Sequence, residues 1–270
     1  MLLRSLQAAG ELLLRPAPLV SGSFRQREVL AVTGHRPWPL PSEPWFMGQT
    51  WCNLLFAHWR VPAPALEAVV PRQLSLDTYD GSAWLGITPF GVRGLRLRGT
   101  TPVPRLSSFS EINVRTYVTV GGRPGIYFLS LDADSWPAVH AARRSYRLPY
   151  FRAEIAADGG QSFDFDATRV SGAGPPAFFK VAYGPRGELL PERAGSLQRW
   201  LTERYCLYTF DERRRIQRGE IHHPPWPLRR AWAEIETNTM ASPYGIVLEG
   251  EPLLHFAARQ DVALWPIRPV

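Results

Sequence analysis

Lysine, cysteine and long apolar runs are what this sequence has least of. Its 31 Lys and Arg residues include a single lysine, Lys180, and its only cysteines are Cys52 and Cys206. Two cysteines cannot build a disulfide framework or a four-cysteine zinc site, so we expect two buried thiols in a reducing compartment. Because no apolar run reaches the roughly 18 residues of a membrane helix, the sequence predicts no membrane span.

The charge is positive, but its distribution does not favour nucleic acid. The formal net charge is +7, and the arginines are scattered along the chain. Their densest run is bounded by Asp211 and Glu220 and holds Gly219 near its end, which is typical of a solvated hairpin tip. Since no helix-turn-helix, zinc-finger or aromatic ribonucleoprotein motif is present, we predict no nucleic-acid partner.

The first 35 residues have a composition of their own. They contain four arginines and two acidic residues. Such a balance is typical of a mitochondrial targeting segment, although a helical extension packed on the domain is the simpler interpretation. We therefore predict an N-terminal extension at residues 1–35 and a single domain at residues 36–268. The expected compartment is the cytoplasm, or the mitochondrion if residues 1–35 are a transit segment.

Chain-breaking residues and alternating patterns predict a sheet-rich fold. The 270 residues include 22 glycines and 26 prolines, which argues against a helical bundle. Trp-rich and alternating segments predict strands at Trp45–Trp59, Ala83–Pro89, Ile112–Val120 and Gly125–Leu131. The segment Gly91–Gly99 contains three arginines and is predicted to be a flexible basic loop. Ser135 and Ser196 are expected to cap the two longer helices.

The most informative strand covers Glu111–Val118. One face of this strand is polar and carries Glu111, Asn113, Arg115 and Tyr117. If this face points into a curved sheet, it supplies a row of hydrogen-bonding groups to a cavity. If it points outward, it is an ordinary hydrated surface, and the pattern alone does not choose between the two.

Two adjacent histidines, His222 and His223, precede a pair of prolines. Neighbouring residues on a strand point to opposite faces, so a metal site would need a further ligand such as Glu220 or Glu234. The simpler interpretation is one packed and one exposed histidine near a turn, and we predict no metal site. A ligand-binding or proton-transfer role for His222 is the alternative.

Few nucleophiles are available for covalent catalysis. Lys180 is the only side chain that could form a Schiff base, and a lysine on a strand is more often exposed. The sequence contains no G-x-S-x-G elbow, no P-loop and no H-E-x-x-H motif. No residue cluster requires a metal or an organic cofactor, so none is predicted.

Several segments resemble the DUF2071 (YqjF-like) family. They are Trp51–Val61, Leu74–Gly86, Phe109–Tyr117, Ser196–Tyr208, Glu220–Pro227 and Asn238–Met240. The resemblance extends over roughly residues 35–268. It supplies no established biochemical role.

Shorter segments are similar to acetoacetate decarboxylase. Val69–Pro71 and Leu74–Asp77 resemble its early helix and strand, and Phe109–Glu111 resembles its aromatic-x-Glu active-site step. The resemblance implies an α+β fold in which mainly antiparallel strands form a curved sheet or cone-like barrel with a few flanking helices. It also implies a pocket-facing carboxylate at Glu111. The decarboxylases assemble into large oligomers, so the resemblance makes a homo-oligomer one expectation.

The catalytic lysines of acetoacetate decarboxylase are missing here. That enzyme has a Gly-Arg-Glu helix start and an aromatic-Pro-Lys-Lys turn, whose first lysine forms the Schiff base. The corresponding segments are Ala142–Arg144 and Leu148–Phe151, in which Tyr150 replaces the reactive amine. Because a phenol cannot form an imine with a ketone, decarboxylation through a Schiff base is not expected.

The sequence therefore predicts a small-molecule pocket for an organic acid or carbonyl compound. Glu111 is expected to transfer protons and Tyr150 to donate a hydrogen bond to a carbonyl or enolate, in lyase- or isomerase-type chemistry. The predicted ligand-binding residues are Asn113, Arg115, His222 and, at the mouth of the cavity, Arg143. The alternatives are a non-catalytic protein that binds or senses a small molecule, and an interaction scaffold whose interior is packed.

Overall fold

The computed structural model describes residues 26–104, 106–160, 162–170 and 175–270. The strands in these ranges are β1 (Met47–Val61), β2 (Ser75–Leu76), β3 (Ala83–Leu97), β4 (Phe109–Val120), β5 (Arg123–Ala133), β6 (Tyr150–Gly159), β7 (Phe163–Arg169), β8 (Phe178–Leu189), β9 (Cys206–Phe210), β10 (Ile216–His222), β11 (Arg229–Asn238), β12 (Leu253–Leu264) and β13 (Arg268–Pro269). The helices are α1 (Ala63–Glu67), α2 (Trp136–Tyr146) and α3 (Leu197–Thr202), with a 3-10 turn at Ser242–Tyr244. Residues 26–31 are also helical.

All of these strands belong to one mixed sheet. Its order is β13-β10-β9-β5-β6-β7-β8-β11-β12-β1-β3-β4-β2, with additional pairings between β4 and β5 and between β10 and β12. Neighbouring strands are antiparallel except that β5 runs parallel to β6 and to β9. The additional pairings bend the sheet back on itself.

Two closed circuits of hydrogen-bonded strands result. One circuit contains β1, β3, β4, β5, β9, β10 and β12. The other replaces β9 and β10 by β6, β7, β8 and β11. The sheet is thus ring-like without being a simple barrel, and it confirms the predicted α+β fold with a curved, mainly antiparallel sheet.

The two circuits enclose different interiors. The nine-strand circuit surrounds the main apolar core, to which the shared strands contribute Leu55, Ile87, Val114 and Phe256. The seven-strand circuit surrounds a cavity with polar groups in its wall. Strands β1, β3, β4, β5 and β12 belong to both circuits, so each of them forms part of the partition between core and cavity.

Local sequence signals explain both longer helices. The Ser135 side chain accepts a hydrogen bond from the backbone N–H of Ala138 at the start of α2, and Ser196 does the same for Arg199 in α3. The left-handed backbone of Arg147 ends α2. These caps confirm the predicted helix starts. No helix of the described ranges is long and apolar enough to span a membrane.

The segment Gly91–Gly99 is not the flexible loop that its glycines suggest, because most of it lies in β3. That strand continues to Leu97 and pairs with β1 as far as Met47. Two register shifts in this pairing absorb the irregular backbone. Pairing with a long neighbour therefore outweighs the weak strand preference of glycine.

Residues 26–38 pack against β10 and β12. His222 Nε2 is hydrogen bonded to the carbonyl oxygen of Val29 at 2.9 Å. The guanidinium of Arg36 and the indole N–H of Trp38 both donate to the carboxylate of Glu220. The remainder of the predicted N-terminal extension, residues 1–25, lies outside the described residues.

Candidate functional site

The seven-strand circuit holds a cavity of about 700 Å³. Every strand of the circuit contributes to its lining, and α2 adds one face. Apolar side chains form most of the wall, among them Trp51 and Trp226, whose rings stack on each other. A volume of this size is typical of pockets for small molecules, whose polar groups are few and specifically placed.

Glu111 and Tyr150 form the central polar pair of the cavity. The Tyr150 hydroxyl donates a hydrogen bond of 2.8 Å to Glu111 Oε2, and the carboxyl group of Glu111 is almost completely buried. Burial raises the pKa of Glu111 to about 7, with a smaller contribution from the charge of Asp132 and partial opposition from the Tyr150 and Asn113 hydrogen bonds. Both protonation states of Glu111 are therefore populated at neutral pH.

Burial and the neighbouring carboxylate raise the pKa of Tyr150 well above its usual value. Its phenol consequently remains protonated at neutral pH and acts as a hydrogen-bond donor. The position of the ring follows from the strand register, because Tyr150 at the start of β6 pairs with Leu131 of β5, which in turn pairs with Asn113 of β4.

Arg115 lies farther along the same face of β4. The four-residue separation from Glu111 corresponds to a rise of about 13 Å. The Arg115 side chain is buried, its Nε has no hydrogen-bond partner, and it forms no ion pair with the part of the chain that the structure describes. The partner of Arg115 on β3 is Gly86, and a Cβ there would come within 3.0 Å of the His58 ring and 3.4 Å of Arg115 Cγ. The glycine thus leaves room for the His58 ring beside the Arg115 side chain.

A second buried arginine, Arg204, joins this end of the cavity from the segment after α3. Its Nη1 donates to Asp77 at 2.5 Å and its Nε donates to the carbonyl oxygen of Trp200 at 2.7 Å. Its Nη2 has no hydrogen-bond partner among the residues that the structure describes. The guanidinium lies over the ring of Tyr117, 4.7 Å from its centroid. Because the ion pair with Asp77 offsets the charge of Arg204, this end of the cavity keeps a net positive charge from Arg115.

Two further polar atoms of the cavity wall have no hydrogen-bond partner within the described ranges. They are Asn113 Oδ1 and Thr88 Oγ1, on residues that pair with each other across β3 and β4. Buried polar atoms without partners cost free energy in a folded protein. Their concentration on one cavity wall is typical of a site that hydrogen bonds a ligand.

The structure brings four of the six predicted site residues together in the cavity. They are Glu111, Asn113, Arg115 and Tyr150. This location answers the question that the alternating pattern of β4 left open, since the polar face points inward. The chemical roles assigned to these residues stay predictions.

Arg143 and His222 do not line the cavity, and the neighbouring residue does so in each case. On α2 the lining arginine is Arg144, whereas Arg143 points elsewhere and donates to the carbonyl oxygen of Tyr150 at 2.6 Å. Successive helix residues differ by about 100° in direction, so a shift of one position changes the face. At the end of β10 the lining histidine is His223.

Both adjacent histidines are buried, contrary to the expectation of one packed and one exposed ring. Burial lowers the pKa of His222 and of His223 to about 4, so both rings are neutral at neutral pH. His223 stacks on Tyr205 with the ring centroids 4.8 Å apart. Within the described ranges, no group of three or more histidine, cysteine or acidic side chains is placed to hold a metal ion.

The model of the DUF2071 family, described as "Uncharacterized conserved protein (COG2071)", matches residues 48–261. The chain belongs to the DUF2071 family. A DUF2071 relative, the "Uncharacterized protein YqjF" of Bacillus subtilis (strain 168), is 46% identical over 231 residues, which cover 85% of this chain and 94% of the relative.

Solved structures with the fold of this DUF2071 protein include acetoacetate decarboxylase from Legionella pneumophila. That structure has a TM-score of 0.61 and 11% identity, and the match covers 88% of this chain and 93% of the decarboxylase. The enduracididine biosynthesis enzyme MppR complexed with pyruvate has a TM-score of 0.60 and 13% identity, covering 88% of this chain and 94% of MppR. At these identities the comparisons establish the fold alone.

Arg204, His223 and Thr88 are cavity residues of this DUF2071 protein that sequence reasoning did not select. Thr88 and Arg204 belong to segments distant from Glu111 along the chain, and only strand pairing unites them. A usable signal existed for two of the three, because Arg204 and His223 lie within Ser196–Tyr208 and Glu220–Pro227, two of the segments that resemble the family.

Proposed function

We propose that the cavity binds a small organic acid or carbonyl compound and that Glu111 transfers a proton to or from it. The supporting observation is a buried carboxyl group with a pKa of about 7, held by the Tyr150 hydroxyl inside a ligand-sized cavity. A general acid–base group works best when its pKa lies near the working pH. The net positive charge that Arg115 gives one end of the cavity suits a carboxylate.

The proposed step is removal of a proton from a carbon next to a carbonyl group. The ionised Glu111 takes the proton, the C–H electron pair moves into the new C=C bond, and the carbonyl oxygen becomes an enolate oxygen. As Glu111 becomes protonated, the Tyr150 hydroxyl can release Glu111 Oε2 and donate its single hydrogen to the enolate oxygen. Return of the proton to another carbon gives an isomerase, and expulsion of a leaving group gives a lyase.

Imine formation is not part of this proposal. The chain has one lysine, Lys180, and its ammonium group lies on the outer face of β8, where it is half exposed and 2.7 Å from Glu236 Oε2. It does not line the cavity. The chemistry available to the described cavity residues is therefore proton transfer and hydrogen bonding.

Proton transfer can be tested before the natural substrate is known. The purified protein is incubated in D₂O with acids whose carbonyl group is at position 2, 3 or 4, and loss of C–H signal next to the carbonyl is followed by proton NMR. Rates are corrected for exchange without protein. We expect exchange for at least one acid. In Glu111→Gln the exchange rate should fall at least about 100-fold, because general acid–base groups typically raise reaction rates by factors of about 10²–10⁴.

The matched control is Glu154→Gln, which changes an exposed glutamate on β6 in the same way. Its exchange rate should equal that of the wild type. Unchanged exchange in Glu111→Gln would refute the assigned role of this residue.

A non-catalytic binding protein is the second candidate. It is favoured by the unpartnered atoms of Thr88, Asn113, Arg115 and Arg204, which can hold a ligand without any reacting group. Saturable binding of an acid with no exchange in the wild type would select this alternative. A cavity of about 700 Å³ supports either candidate over an interaction scaffold with a packed interior.

A further inference from the structure

The buried polar groups of the cavity are concentrated away from its mouth. Along the inward face of β4, Phe109 comes first, then Glu111, then Asn113 and Arg115. The loop before β4 and the start of α2 both adjoin the Phe109 end, since the N–H of Leu95 donates to the carbonyl oxygen of Ser107 and the N–H of Asp134 donates to that of Ser110. Arg115 therefore lies on the side opposite to these two elements, at the floor.

The mouth is exposed and mostly apolar, with Arg144 and Ser145 of α2 as polar lining residues. Phe46, Leu97 and Leu106 line the cavity, and each has at least 39% of its surface exposed. Large apolar side chains that are exposed and also line a cavity are typical of a surface that an apolar ligand covers. The side of α2 that faces the cavity adds small residues, among them Ala138 and Ala141.

The cavity is larger than a short acid would fill. About 700 Å³ is within the range of about 300–1,000 Å³ found for drug-sized ligands. A three- or four-carbon acid held at the floor would leave the apolar wall near Phe109 and the mouth without a ligand contact.

We propose that this cavity takes an amphipathic monocarboxylic acid, with its carboxylate against Arg115 and Arg204 and its apolar chain running past Glu111 to the mouth. This inference rests on the proposed function, because it assumes that the cavity is a ligand site. It adds the orientation of the ligand and the requirement for an apolar chain.

The test is a chain-length series measured by isothermal titration calorimetry. The probes are straight-chain carboxylates from butanoate to decanoate at pH 6, where Glu111 is mainly protonated, and the matching primary alcohols. Each added CH₂ group that enters the cavity should lower the Kd about fourfold. The expected gain from butanoate to octanoate is about 250-fold, and the alcohols should bind at least about tenfold more weakly than the acids.

Two variants of α2 test where the apolar chain of the ligand lies. Ala141→Phe places a ring in the cavity mouth, so it should weaken octanoate at least about tenfold and leave butanoate unchanged. His140→Phe adds the same ring to an exposed residue that does not line the cavity, and it should behave as the wild type.

Different outcomes separate this inference from the proposed function. Equal Kd values along the acid series would overturn the amphipathic ligand and leave acid binding intact. Acids and alcohols of equal affinity would overturn the orientation with the carboxylate at the arginines. Absence of binding by every acid, including the oxo acids of the exchange assay, would overturn both proposals.

Discussion

Glu111 should make the protein less stable as the pH rises through neutrality. Its pKa is about 7 in the folded protein against 4.5 for an unperturbed glutamate, so between these values the folded state keeps a proton that the unfolded state has released. The free energy of unfolding then falls by about 1.4 kcal/mol per pH unit. The accumulated loss above pH 7 is about 3 kcal/mol. Glu111 is only 4% exposed, so solvent screening does not reduce this figure much.

Glu111→Gln removes this titration while keeping an oxygen that accepts from Tyr150. The difference in unfolding free energy between variant and wild type should be smallest below pH 5. It should increase in favour of the variant up to pH 7 and stay constant above pH 8. The assay is urea unfolding at half-unit intervals from pH 4.5 to 8.5. The quantity of interest is the difference in unfolding free energy between variant and wild type.

Taking the difference cancels the other titrating groups. The buried histidines His58, His222, His223 and His255 all have lowered pKa values, and they contribute equally to both proteins. Glu154→Gln is the control and should give a difference that does not vary with pH. If the curves for Glu111→Gln and the wild type run parallel, Glu111 does not titrate near neutrality and its proposed acid–base role fails with it.

Two pairs of substitutions outside the cavity lining compare buried with exposed positions. Asp132→Asn breaks the buried ion pair with Arg169, whose two hydrogen bonds measure 2.6 and 2.9 Å. It should lower the free energy of unfolding by about 3–5 kcal/mol. Glu236→Gln breaks the exposed ion pair with Lys180 and should lower it by less than about 1 kcal/mol. Gly125→Ala brings a Cβ to 2.6 Å from the Tyr208 ring and should lower the free energy of unfolding by about 1–3 kcal/mol in the same urea assay. Gly160→Ala brings its Cβ within 4 Å of no described atom, so its free energy of unfolding should stay within about 0.5 kcal/mol of the wild type. Equal costs within either pair would contradict the packing described.

The features predictable from the sequence are those set by nearby residues. Ser135 and Ser196 begin helices because a hydroxyl three residues before an N–H can cap it, and this requires no knowledge of the rest of the chain. The two arginines at the cavity floor are different. Arg115 and Arg204 come from β4 and from the segment after α3, and only the closure of the seven-strand circuit brings them to one cavity.

The orientation of β4 could not be read from its alternating pattern for a physical reason. An alternating pattern distinguishes a buried face from a wet one, but both faces of β4 are buried. Ile112 and Val114 belong to the apolar core of the nine-strand circuit, while Glu111 and Arg115 face the cavity of the seven-strand circuit. The polar face therefore has the amino-acid composition of a solvent-exposed surface although it is buried in the structure.

This double burial also separates the requirements of folding from those of binding. Residues on the core face of a shared strand must fill a close-packed interior, so a change of one methylene group there alters the stability of the fold. Residues on the cavity face border an open volume and not a packed core, so their identity can follow the chemistry of a ligand. Tyr150 illustrates this freedom, because the register with Leu131 keeps its side chain beside Glu111 at a position where the resembling decarboxylases have a reactive lysine. With a phenol beside the carboxylate, the chemistry proposed for this site is proton transfer, because a phenol cannot form an imine with a ketone.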